Sequence, residues 1–266
     1  MSRAHLVSDL RRRRSVVVAF SGGVDSALVA ALAFEALGER ALAVTAVTET
    51  LAARDVAAAA RLAREIGISH EAVRYSELEE AEFRSNPQHR CYVCQGLRAG
   101  ALVHLAEQRS FEVVCDGTNA SDPGPDRPGL LAMRERGVYS PLLAHGLDKA
   151  STRALAKEMG LSVWSKPANA CLSSRVPHGQ LITLSKLRRI EAAEDLLLDE
   201  GFRVVRVRHE QQTARVEVGV DEVARLRAAW HCLLPRIEAC GFEDVILDPR
   251  GYKSGGADPA GRPFAS

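Results

Sequence analysis

Ser21-Gly-Gly-Val-Asp-Ser26 carries the residue types that a phosphate site needs. Two adjacent glycines let the backbone approach an anion closely. Amides that open a helix then turn the positive end of its dipole toward that anion. Ser21 and Ser26 add hydroxyl donors, and Asp25 adds a carboxylate beside them. The segment is not a Walker A loop, because no Gly-Lys-[Ser/Thr] follows, and it is not Gly-x-Gly-x-x-Gly. The competing reading is an ordinary strand–turn–helix corner with Ser or Asp as N-cap.

Cysteines form the second group. Six are present: Cys91, Cys94, Cys115, Cys171, Cys232 and Cys240. The N-terminus has no apolar stretch of the kind a secretory signal carries, so they read as thiols, metal ligands or catalysts rather than as a disulfide framework. Cys91-Tyr-Val-Cys94 is a Cys-x-x-Cys pair, a spacing that suits metal ligation or redox chemistry, and Cys171 lies far from it in sequence. A zinc site with His89 as fourth ligand, or a redox disulfide between Cys91 and Cys94, are the alternatives. Cys115, Cys232 and Cys240 lie in apolar contexts and are expected in the core.

These groups need elements to hold them. Residues 15–20 and 41–48 read as short buried strands, and 71–75 and 111–116 as a third and fourth strand. Residues 25–37, 54–66 and 92–108 read as helices between them, the first two ended by Gly38 and Gly67. This alternation predicts an α/β fold with a parallel sheet covered on both faces. Ligands of such sheets bind beyond the carboxyl ends of the strands. Residues 21–26, 48–50 and 117–122 therefore share one rim, with Thr48 and Gly117 as candidate nucleotide contacts. Asp122 and Arg127 fall in the loop after the fourth strand. Asp122 is a candidate ribose or Mg²⁺ ligand, or simply turn chemistry, and Arg127 a candidate phosphate contact.

After Gly179 the pattern changes. Residues 184–200 and 221–239 read as helices, 202–209 and 213–218 as antiparallel strands, and 244–247 as a last strand. The expected domains are 1–179, a smaller α+β domain over 180–250 for substrate binding and oligomerisation, and a mobile tail over 251–266. Arg206 and Arg208 alternate on a strand and share a face. With Arg175 they are candidates to hold a substrate phosphate between the domains, with Ser174, Glu194 and Glu217 completing the pocket. The alternative for Arg206 and Arg208 is a solvent-facing strand side.

Composition sets the bounds. The chain has 266 residues, 46% hydrophobic and 26% charged, with a net charge of +1. That excludes disorder across the whole chain and gives no reason to expect bulk nucleic-acid binding. No apolar run approaches the roughly 20 residues that span a bilayer. A cytoplasmic homo-oligomer is expected.

Ser-Gly-Gly-Val-Asp-Ser resembles the PP-loop of the ATP pyrophosphatases, which cleave ATP between the α and β phosphates and pass AMP to a carboxylate or amide oxygen. Asn86-Pro-Gln-His-Arg-Cys-Tyr-Val-Cys94, Asp116-Gly-Thr-Asn-Ala-Ser-Asp122, Ser140-Pro-Leu142 and Lys166-Pro-Ala-Asn-Ala-Cys-Leu-Ser-Ser-Arg175 are similar to the LarE family of sulfur transferases in nickel-pincer cofactor synthesis. The resemblance implies an adenine nucleotide alpha hydrolase-like fold, ATP with Mg²⁺, and Asp25 as a catalytic residue. The implied substrate is pyridinium-3,5-biscarboxylic acid mononucleotide, whose carboxylates become thiocarboxylates. It raises Lys149 and Arg153 as active-site cations. Two sulfur sources are implied: a [4Fe–4S] cluster on Cys91, Cys94 and Cys171 that carries sulfide, or Cys171 itself, left as dehydroalanine. A tRNA thiolase, an ammonia-dependent amide-forming synthetase and a non-enzymatic nucleotide sensor are the other functions that a PP-loop allows.

Overall fold

Alternate residues of the first strand serve opposite faces of its sheet. Val16 and Val18 enter one apolar cluster and Val17 another, so the strand reads as an unbroken apolar run. The computed structural model describes residues 3–122, 128–167 and 170–252. In chain order the first elements are α1 (Arg3–Arg12), β1 (Val16–Ala19), α2 (Val24–Leu37), β2 (Ala41–Val47), α3 (Ala53–Ile66) and β3 (Ser69–Arg74). A short α4 (Ala81–Arg84) precedes α5 (Arg90–Gln108), β4 (Val113–Cys115), α6 (Pro128–Glu135), α7 (Pro141–Ala144) and α8 (Lys149–Glu158). The last elements are α9 (Leu184–Asp199), β5 (Val205–Glu210), β6 (Thr213–Val218), α10 (Val223–Glu238) and β7 (Asp244–Leu247).

The chain divides into two compact units. The first holds residues 1–77 and 89–169, the second 78–88 and 170–266. In the first, a parallel sheet has the order β3-β2-β1-β4. Leu6 and Leu10 of α1, α2 and Ala59, Leu62 and Ala63 of α3 cover one face, while Ala99, Leu102 and Ala106 of α5 cover the other. Helix α2 is apolar almost all round and is buried along nearly its whole length. Helix α5 begins at Arg90, two residues before the expected start, which puts Cys91 inside its first turn.

In the second unit β5 and β6 are antiparallel and β7 joins β6 in parallel. Helices α9 and α10 pack on one face through Leu197, Leu226, Leu233 and Ile237 against Val205, Val207 and Val216. The sequence reading divides the chain at 179/180, whereas this unit starts at residue 170 and takes in residues 78–88. The physical reason is Asn86. Its side-chain amide donates to the carbonyls of Val176, Pro177 and Gln180, and its own carbonyl accepts from the Gly179 amide. At the end of the chain, the Tyr252 amide donates to Val218. Residues 253–266 of the expected tail lie outside the described residues. Among the described residues no helix is long and apolar enough to cross a membrane.

Candidate active site

The strand order turns at β1. Strands β1, β2 and β3 run outward in one direction, and β4 lies on the other side of β1, so a crevice opens where the ends of β1 and β4 diverge. Residues 21–26 fill it. Gly22 has a φ of +70°, and a Cβ there would lie 3.1 Å from the Cα of Ala59, so the loop needs glycine both for its backbone and for its seat on α3. Gly23 is the N-cap of α2 and caps none of the first-turn amides through a side chain. Those amides are the groups a phosphate would accept from. The Ser26 hydroxyl donates to the Gly23 carbonyl at 3.1 Å and meets the Ser21 hydroxyl at 3.1 Å. These bonds hold the loop in its own shape.

Three segments converge on Asp25. Its Oδ1 accepts from the Asn119 side-chain amide at 3.0 Å, and its Oδ2 accepts from Lys149 Nζ. The backbone amide of Lys149 donates to Ser121 Oγ at 2.9 Å, which ties the start of α8 to the loop after β4. Gly117 allows the approach: a Cβ there would sit 2.7 Å from Ser26 N and 2.9 Å from the Asp25 carbonyl carbon. Asp116 is buried, which raises its carboxyl pKa, while the Thr118 amide and hydroxyl donate to it and oppose that rise. Asp122 Oδ2 accepts from the Asn119 amide at 3.0 Å, the turn arrangement set beside a metal role above. Arg127 lies outside the described residues. The guanidinium of Arg153, raised above as a cation, donates to the carbonyls of Trp164 and Lys166.

At the ends of β2 and β3 a second polar group forms. Glu77 is fully buried. Its Oε2 accepts from the hydroxyls of Thr50 and Thr48, the latter at 3.1 Å, and its Oε1 accepts from the Cys94 thiol at 2.8 Å. Cys94 is buried and Cys91, three residues earlier on α5, is exposed. Thr48 thus faces a carboxylate in addition to lying on the rim.

In the second unit Cys171 is half-buried, with its sulfur 3.0 Å from Ser173 Oγ. Arg175 is 1% exposed. It donates to both oxygens of Glu194 at 2.9 Å, to the carbonyls of Ala170 and Cys171, and to Ser174 Oγ. Arg208 donates to Glu217 Oε2 and to the Ser174 carbonyl, and Glu217 Oε1 accepts from Arg215. Arg206 stands with its guanidinium 5.0 Å from the centre of the Tyr252 ring, and its pKa is lowered by burial and by nearby Arg175. The structure therefore gathers Ser174, Arg175, Glu194, Arg206, Arg208 and Glu217. Arg206 and Arg208 are buried rather than solvent-facing. Cys232, expected in the core, is exposed, and Cys240 is only half-buried, because α10 turns Leu226, Leu233 and Ile237 inward instead.

Residues 5–113 match the NAD synthase family model. The chain is 39% identical over 241 residues to an uncharacterised protein of Synechocystis, covering 90% of each. It is 33% identical over 254 residues to the pyridinium-3,5-bisthiocarboxylic acid mononucleotide synthase of Lactiplantibacillus plantarum, covering 95% of this chain and 92% of that one. The chain belongs to the LarE family. A tRNA-specific 2-thiouridylase MnmA of Rhizobium leguminosarum is 28% identical over 231 residues, 69% of this chain and 57% of that enzyme.

For this LarE-family chain the implied iron–sulfur cluster meets a test in the donor set. An iron ligand is a thiolate, whereas Cys94 uses its thiol proton to donate to Glu77. Among the described residues no three His, Cys, Asp or Glu side chains are grouped to hold a metal ion. As arranged, Cys94 does not present a thiolate to the cluster. Glu77 is the residue that the sequence hid, since its only linear signal is a position just past a strand end. Asn119 lay inside a recognised motif without an assigned role.

Proposed function

We propose that this LarE-family protein is an ATP-dependent sulfur transferase that converts carboxylates of a pyridinium mononucleotide to thiocarboxylates. The observation that carries the reading is Asp25, held by Asn119 and Lys149 at the mouth of the PP-loop. A carboxylate is a poor acyl donor to sulfur. Its oxygen attacks the α-phosphorus of ATP, pyrophosphate leaves, and an acyl-adenylate forms. A sulfur nucleophile then adds to the carbonyl carbon and expels AMP.

Ser21, Gly22, Gly23 and Ser26 cradle the leaving phosphates, and Lys149 offers a cation to the charge that develops there. Mg²⁺, when ATP carries it, neutralises phosphate charge. The candidate ligand Asp122 has one oxygen engaged by the Asn119 amide, and no step is assigned to it. Thr48 and Gly117 contribute the rim on either side of the loop.

In the second unit, Arg206, Arg208 and Ser174 take the phosphate of the pyridinium mononucleotide in this reading. Glu194 and Glu217 hold Arg175 and Arg208 in place. Cys171 is the candidate sulfur nucleophile. Its thiolate forms the Cys171 thioester of the substrate; loss of the Cys171 Cα proton to a base with cleavage of the Cβ–S bond then yields thiocarboxylate and dehydroalanine. No step passes through an iron–sulfur cluster.

The test incubates the chain with ATP and pyridinium-3,5-biscarboxylic acid mononucleotide and follows pyrophosphate, AMP and product mass. Asp25→Ala is expected to abolish pyrophosphate release at an unchanged melting temperature. Near wild-type release by that folded variant would count against the reading. The similarity to a 2-thiouridylase supports a second reading, sulfur transfer to tRNA. The same assay with tRNA as acceptor decides between them.

A further inference from the structure

The guanidinium of Arg153 fixes a short piece of main chain that carries a lysine. It donates to the Trp164 carbonyl at 2.6 Å and to the Lys166 carbonyl at 2.8 Å, and the Lys166 amide donates to the Val163 carbonyl at 3.0 Å. Lys166 is thus held on both sides of its Cα, which sets where its side chain starts. That side chain reaches α3, where Nζ stands 3.6 Å from Asp55 Oδ1. The separation makes an ion pair but exceeds that of a charge-assisted hydrogen bond, so the ammonium is loosely engaged there.

Asp55 lies in the first turn of α3, four residues before Ala59. Ala59 is the residue on which Gly22 is seated, its Cα 3.1 Å from where a Cβ of residue 22 would stand. Residues four apart share a helix face and lie about 5–6 Å from one another. Helix α3 follows β2, so its first turn is the end nearer the rim. The Lys166 ammonium therefore stands about one helical turn from the PP-loop, on the α3 side. Lys149 stands on the other side, at Asp25, which also accepts from Asn119 of the loop after β4. Each lysine faces an aspartate, so the two pairs carry no net charge. A triphosphate brings several negative charges to this loop, and a cation that can leave a carboxylate for a phosphate oxygen answers them. We propose that Lys166 is a second phosphate-binding cation of the ATP site, held by Asp55 until the nucleotide arrives and then shared with its phosphate chain. Arg153 is its positioning residue and acts only through the main chain of residues 164–166.

The inference rests on the reading of residues 21–26 as the ATP loop. Full-length protein is titrated calorimetrically with magnesium ATP and, separately, with adenosine, at low and high salt and without pyridinium substrate. Wild type that binds no ATP would overturn that reading and this proposal together, whereas the variants test the proposal alone. Lys166→Met is expected to weaken ATP about tenfold, the scale of one charge-assisted hydrogen bond. It should leave adenosine affinity and melting temperature unchanged, and it should flatten the salt dependence of ATP binding, because one cation fewer meets the phosphates. Lys166→Arg keeps the charge and is expected to recover most of the loss. Lys166→Gln carries the comparison if Lys166→Met melts below wild type. Asp55→Asn is expected to tighten ATP about two- to threefold, the scale of one partly exposed charge pair, since it removes a competitor for the ammonium and a like charge near the phosphates. Arg153→Gln is expected to weaken ATP in the Lys166 chain and to add nothing once Lys166 is replaced by methionine, the mark of a residue that acts through another. Equal ATP affinity in wild type and Lys166→Met would overturn the proposal. So would equal losses of ATP and adenosine affinity, which report a displaced loop rather than a lost phosphate contact.

Discussion

Replacing Gly117 with alanine adds one methyl group where the loop after β4 meets the first turn of α2. That methyl carbon would lie 2.7 Å from Ser26 N, 2.9 Å from the Asp25 carbonyl carbon and 3.1 Å from Asp25 Cβ. Ordinary contact begins near 3.4 Å, so the two backbones must part by about 0.7 Å. Two of the three atoms are main chain at the start of a buried helix, and no side chain can swing aside. Overpacking of this kind costs about 1–3 kcal/mol, a shift in urea midpoint that a standard unfolding curve resolves. The functional cost follows from the same displacement. Asn119 reaches Asp25 from the loop that moves, and a misplacement of about 1 Å near reacting groups costs up to roughly a hundredfold in rate. We expect Gly117→Ala to lower pyrophosphate release by about 10- to 100-fold, with a smaller loss of stability. Pyrophosphate release by coupled phosphate detection and urea unfolding by circular dichroism measure the two effects. A variant with wild-type stability and wild-type release would refute the claim that Gly117 sets the distance between the PP-loop and its neighbour.

Three further outcomes are expected. Lys149→Met should cut pyrophosphate release at least about tenfold without changing the melting temperature, because it removes the cation at Asp25 and the charge offered to phosphate; steady-state release measures it. Glu194→Ala should destabilise the chain by about 3–5 kcal/mol, since it strands the buried Arg175 guanidinium and the Val207 amide. Urea titration checks this, and a loss under about 1 kcal/mol would contradict it. His209 is fully buried, and neither ring nitrogen has a hydrogen-bond partner among the described residues. Burial, with Lys186 and Arg189 nearby, pushes its pKa from 6.5 down to about 4. The unfolded chain therefore takes up this proton first as pH falls. The stability linked to this site is complete above about pH 6.5 and drains away toward pH 4, by on the order of 3 kcal/mol. His209→Phe should flatten that part of the pH–stability curve, and an unchanged slope would contradict the assignment.

How much of this was readable in the sequence differs by element. Strands β1, β2 and β4 were, because they are largely buried and so read as short apolar runs, whereas the edge strand β3 is polar and partly exposed. The PP-loop was, because glycine pairs and hydroxyls at a strand–helix corner form a local pattern. The Asp25–Lys149 contact joins residues 124 apart and depends on a side chain crossing the crevice, which no local pattern encodes. Glu77 reads like any surface acid until its three donors are placed around it. Arg206 and Arg208 alternate as a solvent-facing strand would, and only the carboxylates and the aromatic ring opposite make burial tolerable. Cys232 was misread for the opposite reason: its neighbours are apolar, but the inward face of α10 passes it by.

The hydrogen bonds of Asn86 span 90, 91 and 94 residues of sequence. A ribosome therefore releases the 78–88 strap well before the partners that seat it, and the strap must wait while the sheet strand and helices that follow it are made. Closing so long a loop is entropically costly and slow compared with forming local helices. The second unit thus has no contiguous gene segment of its own. Expressing residues 180–250 alone would omit both the strap and residues 170–179 that it fastens, and of the three carbonyls that Asn86 satisfies such a fragment would keep only that of Gln180. Any attempt to transplant this unit into another protein has to carry two pieces of chain rather than one.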